Sequence, residues 1–226
     1  MPRSRVIPIH RPNIVAAGMA LVAALAISLT LLRAAGAAPA TDPAEFVRDF
    51  GNRVIAAAAD NSLSPDQRQA ALERLLSAGV DARRIGRFVL GKYGRRASES
   101  ERAEFDRLFA ASIVAAYSRN LGSYAGETLQ VRGAKLRGEQ GALVSSQVIR
   151  PKGPAVAVDW RLRDDAGTWR IVDVVIEGLS MALTQRAEYA AVIRAGNGRL
   201  ESLLARLREQ VPAQDAEVAG LTVETD

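Results

Sequence analysis

The chain of 226 residues has no cysteine and a single histidine, His10. The first absence leaves no disulfide and no thiol nucleophile, so stability has to come from packing alone. The second removes Ser-His-Asp and Cys-His arrangements and nearly every zinc site, because His10 lies in the leading segment and not in the body of the chain. No acid occurs in residues 1–37, and residues 14–32 carry no charge of either sign. No phosphate loop or dinucleotide fingerprint is present: the run from Gly86 to Gly91 lacks the following Lys-Ser/Thr, and the glycines between 133 and 141 sit where hairpin turns are expected.

What is there begins with an export pattern. Residues 1–13 are basic, residues 14–32 are an uncharged apolar core, and Ala35-Gly36-Ala37 supplies the small residues a signal peptidase needs. The core is 19 residues long, between the usual length of an export core and that of a membrane span. Two readings follow, a signal peptide cleaved after Ala37 and a retained inner-membrane anchor; the small residues favour cleavage and a periplasmic product. Removing residues 1–37 takes away Arg3, Arg5, Arg11 and Arg33, which leaves 26 basic residues against 25 acidic ones. The remainder is nearly neutral, which speaks against a nucleic-acid partner despite the whole-chain pI of about 10.1.

Helix starts are written into the next segment. Asp42-Pro43-Ala44-Glu45 and Ser64-Pro65-Asp66-Gln67 both place a capping residue before a proline at the first helical position. The helices they open carry Phe46, Val47, Phe50, Val54 and Ile55, then Leu72, Leu75 and Leu76, at helical spacing. A short helix over 81–90 buries Ile85, Phe88 and Val89. Ser98 with Glu101 opens a longer one with a stripe through Phe105, Leu108, Phe109, Ile113, Ala116, Tyr117 and Leu121. From Thr128 the period changes to two, and turns at 138–141, 151–154 and 164–167 cut the segment into four strands of an antiparallel meander. Setting Arg163 opposite Thr168 pairs Leu162 with Trp169, Trp160 with Ile171, Val158 with Asp173 and Val156 with Val175, which gives one almost wholly apolar face. Ser180 or Thr184 caps a following helix, Gly196-Asn197-Gly198 separates a last one, and the acidic residues 212–226 read as a disordered tail. The expected class is α+β, with residues 41–211 as one domain.

Acid–base chemistry has only carboxylates and tyrosines to draw on. Asp173 is the most suggestive, as an acid inside the run Trp169-Arg-Ile-Val-Asp-Val-Val-Ile176. It reads either as a general base of raised pKa, as in small cone-shaped enzymes, or as a structural acid bonded to an arginine, a tyrosine or a helix start. Arg161, Arg163 and Arg170 read either as a phosphate cluster or as a solvated sheet face. The apolar stripes are core by default, but helix and sheet layers that meet without filling the space between them leave a concave apolar pocket.

The run from Val158 to Leu162 and the stretch from Gly167 to Tyr189 resemble the MlaC family, also called the toluene-tolerance or Ttg2 family. Trp169, Asp173, Glu177-Gly178, Ser180 and Arg186 carry the resemblance, with the upstream Phe88-Val-Leu-Gly91-Lys-Tyr93 segment; a hopanoid-associated subfamily looks similar. The resemblance implies an NTF2-like α+β cone with an apolar cavity for acyl chains and no cofactor. It also implies a monomeric periplasmic phospholipid carrier working between an outer-membrane lipoprotein–porin complex and an inner-membrane Mla-type ABC transporter. On that reading the lining is expected from Val156, Val158, Trp160, Trp169, Ile171 and Val175 of the sheet, from Leu179, and from Phe105, Ile113 and Tyr117 of the long helix. Leu179→Glu is then expected to abolish carriage. The strand from Trp169 to Glu177 is apolar on both sides, in this reading, because one face lines the cavity while the other packs under helices.

Overall fold

A computed structural model describes residues 42–120, 126–138 and 141–211, without the side chains of 117–120. The leading segment, the acidic tail, Leu121 and the Tyr117 side chain therefore lie outside the described residues. Helix α1 (Pro43–Ala59) starts at Asp42, whose Oδ1 accepts from Ala44 N at 2.9 Å. In α2 (Pro65–Gly79) the Ser64 hydroxyl accepts from Gln67 N while Gln67 Oε1 accepts from Ser64 N, so the capping box forms as its sequence spells it. Asp81 caps α3 (Ala82–Leu90), and Ser98 and Glu101 exchange the same pair of bonds at the start of α4 (Glu99–Asn120).

Four long antiparallel strands follow in sequence order, β1 (Thr128–Leu136), β2 (Gly141–Ile149), β3 (Val156–Asp165) and β4 (Thr168–Ile176). A fifth strand that the sequence reading did not anticipate, β5 (Leu179–Ser180), pairs Ile176 with Leu179 and Val175 with Ser180. Then come α5 (Met181–Ala195), capped by Ser180, and α6 (Glu201–Gln210).

The register of β3 on β4 differs from the expected one in two ways. The connection is a two-residue turn, Ala166-Gly167, with φ of 50° and 87°, so Asp165 and not Arg163 lies opposite Thr168. Positive φ at both central residues is the twist that suits a tight hairpin, and Asp164 Oδ1 accepting from Gly167 N at 2.7 Å holds the bend. The pairing therefore slides by two residues, which leaves every side chain on its expected face. Further along, Leu162 pairs with Ile171 but Arg161 pairs with Asp173, so Val172 is an extra residue in β4. This bulge turns the second half of the strand over. Val174 and Ile176 register with Trp160 and Val158 on the helix-covered face, whereas Asp173 and Val175 register with Arg161 and Asp159 on the reverse one. Asp173 and Val175 thus do not share the face of Trp169 and Ile171.

Asp173 is 6% exposed and fully engaged. Its Oδ2 accepts from the Ser180 hydroxyl at 2.6 Å and from Arg161 at 3.0 Å, and its Oδ1 accepts from Ala182 N at 3.0 Å. The carboxylate sits at the N-terminus of α5, where negative charge is favoured, and ties that helix to the sheet. The Arg170 guanidinium donates to the carbonyls of Ser77 and Ala78 at the C-terminus of α2, and Val80 bridges to Ile171 with Asp81 N donating to its carbonyl at 2.9 Å. Helices α2, α3 and α5 are therefore all moored along β4. Neither Arg161 nor Arg170 stands ready as part of a phosphate cluster on the sheet.

Two hydrophobic cores result. One is helical, with Phe105, Leu108 and Phe109 of α4 against Tyr189 and Ile193 of α5 and the leucines of α6. The other joins Val47 and Phe50 of α1 and Leu76 of α2 to Val144, Leu162, Trp169 and Ile171 of the sheet. Ile113 packs against both.

Replacing Asp173 by Ala leaves a hydroxyl and a backbone N–H without their acceptor, and is expected to cost about 2–4 kcal/mol in denaturant unfolding. Asp159→Ala on the same face is expected to change stability by no more than about 0.5 kcal/mol. Burial pushes the Tyr189 phenol up to about 12, against a hydrogen bond with Ser112 that favours ionisation. The sign follows: the unfolded phenol ionises near pH 10 and the buried one later, so stability is intact below about pH 10 and is lost as pH rises towards about 12. Thermal unfolding across that window is expected to show the loss, and Tyr189→Phe to show much less of it.

Candidate functional site

Where the two cores meet, the packing leaves a cavity of about 310 Å³. The sheet contributes Trp160, Ile171, Val174 and Ile176, and the helices contribute Phe50, Leu76, Ile85, Phe109 and Ile113, with Val80 from the α2–α3 connection. The first turns of α5 close it with Met181, Ala182 and Gln185, and Asp173 stands at its edge. The bulge at Val172 decides this wall, because without it Val174 and Ile176 would point away and the charged Asp173 would share the apolar face.

The polar atoms close to the cavity are occupied. The Trp160 indole N–H donates to the Ser146 hydroxyl at 2.9 Å, which itself donates to the Val158 carbonyl at 2.8 Å. That relay lets an indole face an apolar space without an unpaired donor, and Phe50 sets its ring edge-on to the same indole at 6.3 Å between centroids. With both oxygens of Asp173 holding β5 and α5, the geometry is that of a structural acid. The chemistry on offer is dispersion and apolar burial, with the Gln185 amide as a polar neighbour near the mouth. Among the described residues no group of three or more His, Cys, Asp or Glu could hold a metal ion.

The expected lining residues fall into several places. Trp160, Ile171 and Ile113 border the cavity. Trp169 lies deeper in the sheet-side core, and Val156 and Val158 stand on the same face farther along β3. Phe105 is fully buried in the helical core, stacked on Phe109 at 5.5 Å and edge-on to Tyr189 at 6.2 Å; its neighbour Phe109 is the one that reaches the cavity. Val175 faces the reverse side beside Asp159 and Arg161. Leu179 is 58% exposed at the tip of the short β4–β5 hairpin, outside the lining. The residues the sequence reading did not assign to the site, Phe50, Leu76, Ile85 and Phe109, all belong to stripes visible in the sequence. Val174 and Ile176 were hidden by the bulge.

Glu177, Gly178, Arg186 and the Phe88–Gly91 segment, which also carry the family resemblance, are not among the residues lining the cavity. Glu177 and Gly178 make a second tight turn, with φ of 49° and 82°, and the Glu177 carboxylate and N–H both bond to the backbone of Ala157. Gly91, at φ 52°, leaves room for the Arg186 guanidinium, which lies over the Phe88 ring at 5.0 Å. Ile176 is both part of the lining and 38% exposed, so the cavity meets solvent beside it.

The chain is 29% identical over 129 residues to the toluene tolerance protein ttg2D of Pseudomonas putida, covering 56% of this chain and 60% of that protein. It is 27% identical over 106 residues to the intermembrane phospholipid transport system binding protein MlaC of Haemophilus influenzae, covering 45% of this chain and 50% of that one. These matches thus span between half and three-fifths of the curated relatives. In fold it is similar to the phospholipid-binding protein of Ralstonia solanacearum, solved in complex with a phospholipid, at a TM-score of 0.67 and 20% identity, covering 79% of this chain and 99% of that one. The family model described as MlaC protein matches residues 48–209, and with that extent of match the chain belongs to the MlaC family.

Proposed function

We propose that this protein is a periplasmic carrier that holds phospholipid acyl chain in the cavity between its two cores and moves lipid between membrane complexes. The observation that carries the reading is the cavity itself, apolar on nearly every side and bordered by polar groups already bonded to protein. Such a space offers a hydrocarbon chain what a bilayer offers. Each methylene removed from water contributes about 0.8 kcal/mol, so a long acyl chain in water costs on the order of 10 kcal/mol, which the carrier has to offset. It must not offset much more, because a lipid bound far tighter than in a bilayer would not leave. A wall of aliphatic and aromatic side chains with few polar anchors meets both demands.

Family membership supports placing the carrier between an outer-membrane lipoprotein–porin complex and an inner-membrane Mla-type ABC transporter, with residues 41–211 as the lipid-binding domain. The export pattern of residues 1–37 fits that location. The names of the relatives, a phospholipid transport system binding protein and a phospholipid-binding protein, point to the same class of cargo.

Native mass spectrometry with lipid extraction, on protein purified from the periplasm, is expected to find about one phospholipid per chain and a mass lacking the leading segment. A clean apo mass after gentle handling would sink the carrier reading. Met181→Glu puts a carboxylate at the cavity, at a helix N-terminus that tolerates an acid, and is expected to give a folded protein with co-purified lipid reduced at least about tenfold. Leu179→Glu, on the exposed hairpin, is expected to retain its lipid; the opposite pattern in the two variants would move the binding site to the rim.

A further inference from the structure

Behind a wall formed by Leu76, Val80 and Ile113, which border both spaces, lies a second and larger cleft of about 740 Å³ between α2 and α4. Its surface is mostly apolar and rich in short side chains, with Ala70, Ala78, Ala82, Ala110 and Ala111 beside Val114, while Glu73 and Arg74 of α2 also border it. Through Ser77, Val80, Ala82 and Ala110 it runs into a third space of about 680 Å³. That third space is bordered by Arg83, Arg84, Arg87, Arg107 and Arg170, against Asp81, Asp106 and Asp165.

The cations are not equally committed. Arg84 is paired with Asp81 at 2.9 Å, and Arg170 is held by the carbonyls at the end of α2. Arg83 and Arg87 lie one turn apart on α3, both exposed, and neither guanidinium forms a hydrogen bond or salt bridge among the described residues. The acid that senses them is Asp106 of α4, whose carboxyl is pushed above the usual range by burial although both arginines pull it down. The region therefore keeps an excess of positive charge where the apolar cleft opens.

A small anion would gain nothing from the alanine-lined cleft, and a neutral apolar molecule nothing from the arginines. An acyl chain with an anionic head uses both, since guanidinium groups match carboxylate and phosphate geometry while the chain is drawn out of water. We infer that the α2–α4 cleft and its arginine rim form a second binding site, separate from the inner cavity, for an amphiphile with an anionic headgroup. The head sits on Arg83 and Arg87, and the chain runs along Ala78 and Ala110 towards the Leu76–Val80–Ile113 wall. The site does not require lipid in the inner cavity.

The test is methyl NMR on the folded protein, following Ala78 and Ala110 of the cleft and Ala182 of the inner cavity. Dodecyl phosphate and laurate present the two anionic heads, dodecyl maltoside a neutral head on the same chain, and inorganic phosphate the head alone. Saturable shifts at Ala78 and Ala110 are expected with either anionic amphiphile, at least about tenfold tighter than with the maltoside, and no such shifts with inorganic phosphate at millimolar concentration. Arg83→Gln/Arg87→Gln is expected to weaken the anionic amphiphiles at least about tenfold and leave the maltoside unchanged. Met181→Glu, which acts on the inner cavity, is expected to leave the Ala78 and Ala110 response in place. Loss of that response in Met181→Glu, or shifts confined to Ala182, would show the amphiphile in the inner cavity and overturn the second site while leaving the carrier reading standing. An unchanged affinity in the double arginine variant, or equal binding of inorganic phosphate, would overturn it as well.

Discussion

At Val172 the fourth strand carries one residue more than the strand it pairs with, and most of the site follows from that surplus. Ahead of it, Trp169 and Ile171 look towards the helices; beyond it, Val174 and Ile176 do, and Asp173 and Val175 turn to the other side. A regular strand could not satisfy both ends of this arrangement. It would either bring a carboxylate into the apolar wall, where an ionised group is costly to bury unpaired, or remove Val174 and Ile176 from it. The bulge lets one strand be apolar along the whole cavity while still offering an acid to the Ser180 hydroxyl and to the N-terminus of α5. Because α2 is moored by Arg170 and the α2–α3 connection by Ile171, the same strand also fixes how far the helices stand from the sheet.

That spacing explains why the space stays open. The helical core is filled by leucines and stacked aromatics, and the sheet-side core by Val47, Phe50, Val144 and Leu162, each well packed within itself. Ile113 touches both clusters but does not fuse them. Side chains along the seam face a gap where they lack partner atoms on one side, and a chain of methylenes inserted there restores those contacts. An unfilled seam would weaken an ordinary domain; on the carrier reading it supplies the affinity for a hydrocarbon guest.

Local chemistry made much of this legible in the sequence. The capping pairs Ser64–Gln67 and Ser98–Glu101 start their helices where the residues say, and the turn signals divide the meander correctly. What failed was local too. Asp164-Asp165-Ala166-Gly167 reads as a four-residue turn, yet Ala166 accepts a positive φ and the hairpin closes on two residues. That slide of two left the faces intact, whereas the bulge, a slip of one, did not. No residue type marks Val172 as the surplus one, although adjacent apolar pairs such as Ile171-Val172 and Val174-Val175 are a trace of it, since strict alternation allows none. Phe105 against Phe109 is a different limit: a 3.6-residue stripe says which side of α4 is buried, but not which turn of it reaches the seam.

The polar groups show what kind of function the seam can have. A catalytic pocket keeps at least one acid, base or donor uncommitted and aimed at the reacting atoms. Here the Trp160 N–H is taken by Ser146, Ser146 by Val158, and both oxygens of Asp173 by β5, α5 and Arg161. Each of these bonds braces the wall or the mouth, and none is directed at a guest. On the carrier reading, affinity then rests on how much hydrocarbon is buried, a quantity that barely distinguishes the cavity from a membrane interior. A protein whose affinity nearly matches that of its donor and acceptor phases cannot set the direction of transfer by binding alone, so on the carrier reading direction has to come from whatever engages the mouth between Ile176 and α5.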